Sequence, residues 1–317
     1  WVEGEATEVA QWIGKKETLW EALDQASYRD IAINGAQYDA FETAKMNRVL
    51  KPASLFYGAG YAYGLKPCFF LARLLKDETI AGFQVISLGH ELARDLLTLP
   101  ALVQDSTVLV RTEAAALFLW DQMLYIKKSG RPALKYALAA LGADDLATDT
   151  LRGHLPQLLS TQTEIFIHHE IGELSERTFD RDLWREMVGQ FAQTPLELYV
   201  RALKDLLADT HPLGPLTLIV KNQNEVGLGL YAAFIDGMQR TLFPELRSAV
   251  GAWRASTDND WELITKAIAV GRARAAEDAR WMSAVFSAGL QESDPQWAAA
   301  RFNKRLHERI DSYKDHD

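Results

Sequence analysis

Residues 161–176 read Thr161-Gln-Thr-Glu-Ile-Phe-Ile-His-His-Glu-Ile-Gly-Glu-Leu-Ser-Glu176. Ile167, Ile171 and Leu174 recur three and four apart, which sets them on one face of an α-helix, with His169, Glu173 and Glu176 opposite. Ile165 and Phe166 flank His169 on that second side, so this half of the helix is apolar nearly all round, as in a buried helix. The same periodicity, in stretches rich in Ala, Leu, Glu and Arg, runs through 80–97, 113–127, 134–141, 182–191, 196–207, 225–242, 261–286 and 296–313. Strand-like runs are confined to 108–111 and 216–221, too few for an alternating β/α pattern. The expected class is mainly α: a multi-helix, bundle-like globular protein with little β.

Breaks fall at 142–149, with its Asp cluster, at 209–215, where His-Pro-Leu-Gly-Pro stops a helix, and at 256–260. Asp258 or Asn259 is the expected N-cap of the helix that follows. No break is long enough to be a linker. The chain therefore reads as one helical body over 1–317, or as two lobes, 1–145 and 150–317.

Composition sets outer limits. The 317 residues are 48% hydrophobic and 24% charged, which fits a folded globular chain. Lys and Arg number 34 against 43 Asp and Glu, a net charge of −9, so nothing draws the chain to a phosphate backbone and no nucleic-acid partner is expected. A single cysteine, Cys68, rules out intramolecular disulfides and cysteine-rich metal sites, and its setting between Pro67 and Phe69-Phe70 suits a buried, inert thiol. Apolar runs such as 114–120 are too short to span a bilayer, and no basic-then-apolar leader is visible. A cytoplasmic chain without a membrane partner, free to form a homo-oligomer, is the expectation.

Within the opening stretch, His169-Glu170-Ile171-Gly172-Glu173 resembles the His-Glu-x-x-His helix of zinc metallopeptidases over five residues, with glutamate in place of the second histidine. Residues four apart share a helical face, so His169 and Glu173 could grip one ion, and Glu170, rotated away, would polarise a bound water as general base. A carboxylate at 173 suits manganese or iron as well as zinc. The α-rich composition does not suit the sheet-bearing fold of those peptidases, so the resemblance stops short of peptidase activity. A third ligand must come from another helix. Glu113 shares a face with Leu117, Trp120 and Leu124, although a first-turn acid also complements the helix dipole. Glu225 lies on a face of small residues with Gly229 and Ala232. Glu164 with His168 reads as a hydrogen-bonded core pair, His90 as a satisfied core histidine, and Glu91 as a surface partner of Arg94.

A second feature is Tyr57-Gly-Ala-Gly-Tyr-Ala-Tyr-Gly-Leu-Lys-Pro67. Gly58, Gly60 and Gly64 fit neither the dinucleotide fingerprint nor a P-loop. With Pro67 opening a helix over 68–75, Lys66 and the exposed amides could hold an anion or cofactor; the plainer alternative is tight packing through glycines. Two other chemistries are absent: no Glu-x-x-His di-iron motif occurs, nor a Gly-x-Ser-x-Gly elbow. The expected function is a metal-dependent, hydrolase-like enzyme acting on a small molecule, with a divalent Zn, Mn or Fe ion on His169 and Glu173, Glu225 or Glu113 as third ligand, and Glu170 as base. The alternatives are a non-catalytic scaffold and a small-molecule or cofactor binder using residues 57–67.

Overall fold

Left-handed backbone at consecutive residues folds the first third of the chain into β-structure. The computed structural model describes residues 5–23, 26–62, 66–95, 97, 99–235, 237–256, 260–292 and 294–314. After α1 (Ala6–Leu23), a hairpin of β1 (Ile31–Ile33) and β2 (Ala36–Tyr38) turns at Asn34 and Gly35, with φ 51° and 82°. Then come α2 (Thr43–Leu50), β3 (Leu55–Ala62), β4 (Lys66–Ile80), β5 (Phe83–Arg94), β6 (Ala101–Gln104) and β7 (Thr107–Arg111). Ala81-Gly82 and Asp105-Ser106 make the turns β4–β5 and β6–β7, again with positive φ at both residues, the geometry that matches strand twist in two-residue hairpins.

The five longer strands form one curled sheet in the order β3-β4-β5-β7-β6, antiparallel throughout except for the parallel pair β5–β7. At its open side Gln104 of β6 accepts a hydrogen bond from the Ala59 amide of β3 at 3.1 Å, bringing the two edges together. Phe56, Phe70, Ile86, Leu88 and Leu109 fill the inner face. Val85, Val108 and Val110 on the other face pack against Ile167 and Ile171.

This sheet corrects the mainly-α, little-β expectation: the class is α+β. Residues 68–75 and most of 80–97, expected as helices, are strands. The cause is burial on both faces. Strands covered on two sides, such as Val85-Ile86 and Val108-Leu109-Val110, lose the period-two alternation that marks a strand. In β4 the register against β5 also shifts between Leu71 and Lys76, which breaks the period again. Residues 216–221 err the other way and form a helix. Pro215 after Gly214 opens it, and position outweighs the β-propensity of Thr217, Ile219 and Val220.

The rest is helical: α3 (Thr112–Leu124), α4 (Arg131–Ala139), α5 (Thr148–Ser175), α6 (Arg181–Gln190), α7 (Pro195–Asp209), α8 (Pro215–Lys221), α9 (Glu225–Phe234), α10 (Gly237–Leu242), α11 (Pro244–Ala255), α12 (Trp261–Gln291) and α13 (Pro295–Lys314). Asp258 and Asn259 lie outside the described residues; Asp260 caps α12 by accepting from the Glu262 amide. A second, larger core built on Tyr199, Phe243, Trp253, Phe286 and Phe302 holds these helices. Helix α5 bridges the two, its Ile167–Ile171 stripe on the sheet and its opposite face turned to α7. Among the described residues no helix is long and apolar enough to cross a membrane.

Candidate metal centre

Gly172 decides how close α5 and α7 come. A Cβ at this position would lie 2.3 Å from the Ala208 carbonyl oxygen, and one at Gly214 would lie 2.2 Å from the same atom. Without side chains there, α7 lies directly against the His169–Glu173 face, and Asp205 and Asp209, one helical turn apart, come with it. One ligand atom each from His169, Glu173 and Asp205 falls within 4.8 Å of the others. All three residues are half-buried.

The imidazole is held in one orientation. His169 Nδ1 donates to Asp209 Oδ1 at 2.7 Å, while Asp209 Oδ2 accepts from the Tyr231 hydroxyl and from Gln239 Nε2, each at 2.6 Å. Asp209 ends α7, where the dipole disfavours an anion, and is only 3% exposed, so these three donors are what keep its carboxylate there. His169 Nε2 is left facing Glu173 Oε1 at 3.7 Å. A carboxylate on one imidazole nitrogen and a free second nitrogen is the arrangement that orients metal-binding histidines. Lys204 donates to Glu173 Oε2 at 2.5 Å, with its ammonium 4.2 Å from the Trp184 ring centre.

Four carboxylates, those of Glu170, Glu173, Asp205 and Asp209, thus surround two cationic groups, His169 and Lys204. Burial pushes Glu170 up to about 7, against the pull of His169 and with the push of Glu173. Burial likewise raises Asp205 to about 7, with Glu173 and Asp209 adding to it. For His169 burial works toward the neutral ring, but Asp209, Glu173 and Asp205 prevail and hold its pKa well above the usual range. The cluster is short of positive charge, and protons make up the difference.

Of the other sequence candidates, neither Glu225 nor Glu113 reaches this cluster. Glu225 opens α9 and accepts from the Tyr136 hydroxyl at 2.6 Å; it is Tyr231, further along α9, that touches the site. Glu113, in the first turn of α3, accepts from His90 Nδ1 at 3.0 Å and from the Glu91 amide at 3.1 Å. Partial burial opposes its ionisation, but these donors hold its pKa below the ordinary value. His90 and Glu91 exchange their expected roles: the His90 side chain is 65% exposed, whereas Glu91 is 3% exposed and paired with Arg111. His168 donates to the Leu213 carbonyl at 2.8 Å.

The glycine/tyrosine segment is strand β3, where Gly58 pairs with Phe70 and Gly60 with Cys68. No helix starts after Pro67: residues 66–80 form a strand instead, and the Phe69 amide donates to Asp95 Oδ2 at 2.7 Å. A Cβ at Gly58 would meet the Phe70 ring at 2.1 Å, the packing alternative, while Gly60 faces open space. Gly64 and the Lys66 side chain lie outside the described residues.

Sequence reasoning missed Asp205, Asp209, Lys204, Tyr231 and Gln239. The available signal was the pair Asp205 and Asp209, four apart in a helix otherwise lined by Leu203, Leu206, Leu207 and Ala208. No curated protein and no solved structure matches the chain. Residues 1–111 match the N-terminal domain, and residues 116–305, which carry the whole cluster, match the C-terminal domain of one family of unknown function. The chain belongs to that family, DUF6866.

Proposed function

We propose that the protein binds one divalent cation through His169 Nε2, Glu173 and Asp205 and acts as a metal-dependent, hydrolase-like enzyme on a small molecule. The observation that carries this reading is the convergence of three ligand atoms from two helices within 4.8 Å, around an imidazole already oriented by Asp209. One nitrogen and two carboxylates suit manganese, iron or zinc. When bound, such an ion supplies Lewis-acid activation of a water or a substrate oxygen. Glu170, adjacent in sequence and exchanging its proton near neutral pH, is the base in this scheme. Tyr231 and Gln239 keep Asp209 fixed, and Lys204 fixes the far oxygen of Glu173.

A second reading rests on that Lys204–Glu173 bond. Together with His169–Asp209 it makes an ion network that clamps α5 to α7 with no metal and no chemistry, as a scaffold would use. Metal analysis of the purified protein separates the two. The metal reading expects close to one ion per chain, lost in His169→Ala and Asp205→Asn and kept in Glu170→Gln. Melting should rise with added Mn, Fe or Zn in wild type and Glu170→Gln alone, because a ligand specific to the folded state stabilises it. A melting temperature that no ion changes in any of the four proteins, with His169→Ala melting below wild type, would favour the clamp.

A further inference from the structure

Helices α4 and α11 border a cavity of 530 Å³. Lys128, Arg131, Lys135 and Arg254 line it beside Pro132 and Leu146, with no acid among the described residues of its wall. Among the described residues none of these four cations makes an ion pair; Arg254 rests 5.8 Å from the Tyr136 ring centre, and Lys135 acts on Asp145 only at longer range. A second cavity of 310 Å³ adjoins the first, sharing Pro132 and Arg254. It adds Arg240 and Arg247 to an apolar wall of Ile235, Phe243, Leu246 and Val250. Arg240 is fixed by a 2.6 Å bond to the Ser129 hydroxyl.

Six cations on one concave surface are an anomaly in a chain of net charge −9. Among the described residues no ion pair offsets the mutual repulsion of Lys128, Arg131, Lys135 and Arg254, and an anion brought from outside would relieve it. Apart from these six cations, the chain carries 28 of its 34 Lys and Arg against 43 Asp and Glu, a balance that does not attract a long polyanion, so the field favours a compact anion. The adjoining apolar wall suits a carbon body attached to it. We propose that the double cavity binds a phosphorylated small molecule, its phosphate among Lys128, Arg131, Lys135 and Arg254 and its apolar or ring-bearing part against Phe243 and Leu246. No residue of this site belongs to the metal cluster.

The test is calorimetric titration of the full chain with 1-naphthyl phosphate, with 1-naphthol and inorganic phosphate as controls. The phosphate ester should bind saturably, one per chain, and more tightly than either control, since both cavities contribute. Arg131→Ser/Arg254→Ser should weaken it about tenfold or more, the scale of lost charged hydrogen bonds. Both arginines are exposed, so melting should be unchanged; Lys128→Ser/Lys135→Ser is the second variant should the first fail to fold. His169→Ala should bind the ester as wild type does. Loss of binding in His169→Ala would place the phosphate on the metal cluster and overturn the proposal. So would naphthol binding as well as its phosphate, no saturable binding, or binding indifferent to both double variants. Tighter binding of a single-stranded oligonucleotide or of phosphatidylserine vesicles through the same arginines would also overturn it, in favour of a polyanion surface.

Discussion

Gly172 sits inside the motif that reads as a metal helix, yet its own role is steric. Adding one methyl group there must push α7 away by moving backbone, not a flexible side chain, since the obstacle is the Ala208 carbonyl. Gly172→Ala should therefore cost about 1–3 kcal/mol in chemical unfolding, the range of overpacked cores. Gly153, in the same helix but exposed and with open space around its Cβ, is the internal control. Gly153→Ala should gain about 0.5–1 kcal/mol from helix propensity alone. Equal effects at the two sites would refute the steric account. At this scale half of the site is legible in the sequence. His169 and Glu173 declare themselves by helical spacing, which is local. Asp205 and Asp209 do not, because they join the site through a helix–helix contact, and Asp209, followed by Thr-His-Pro, reads as the start of a loop.

Strand β5 and the end of β7 are joined by a buried charge. Arg111, with no exposed side chain, donates from Nε to Glu91 Oε1 at 2.5 Å and from Nη2 to Glu91 Oε2 at 3.1 Å, while its guanidinium carbon lies 4.5 Å from the Phe70 ring centre. Glu91→Gln keeps the shape and removes the countercharge, leaving Arg111 uncompensated inside the sheet. A loss of about 3–5 kcal/mol is expected, read as a lower denaturant midpoint. A midpoint within experimental error of wild type would mean that water reaches Arg111. The elements themselves divide by how local their cause is. The helices of the second half follow from periodicity and from Pro and Gly at their ends. The sheet was hidden because its strands are apolar on both faces, although Asn34-Gly35 is a strong hairpin signal in plain view. Ala81-Gly82 and Asp105-Ser106 form the same turn with residues that announce it less.

The molecule as a whole should lose stability as pH rises above about 5 when no cation is present. Glu170 and Asp205 release their protons near 4.5 and 3.8 in the unfolded chain but hold them to about 7 when folded. Over that window the folded state binds more protons, so each step up in pH favours unfolding. His169 acts in the same direction: its raised pKa gives stability present below 6.5 that fades as pH climbs through the folded value. Glu113 and Glu176, whose pKa values are lowered, contribute with the opposite sign but only at more acid pH. Melting temperature measured in a chelator should fall from about pH 5 to pH 8, and Glu170→Gln should flatten the slope. A divalent ion displaces these same protons, so its stabilising effect should grow with pH. A flat profile in chelator would show that the cluster does not store protons. One carbonyl, that of Ala208, is flanked by two glycines far apart in the chain, Gly172 and Gly214. For descent this makes the pair a better fingerprint than the His-Glu dipeptide. A relative that keeps His-Glu-x-x-Glu but carries a side chain at either glycine would inherit the spelling of the site without its geometry.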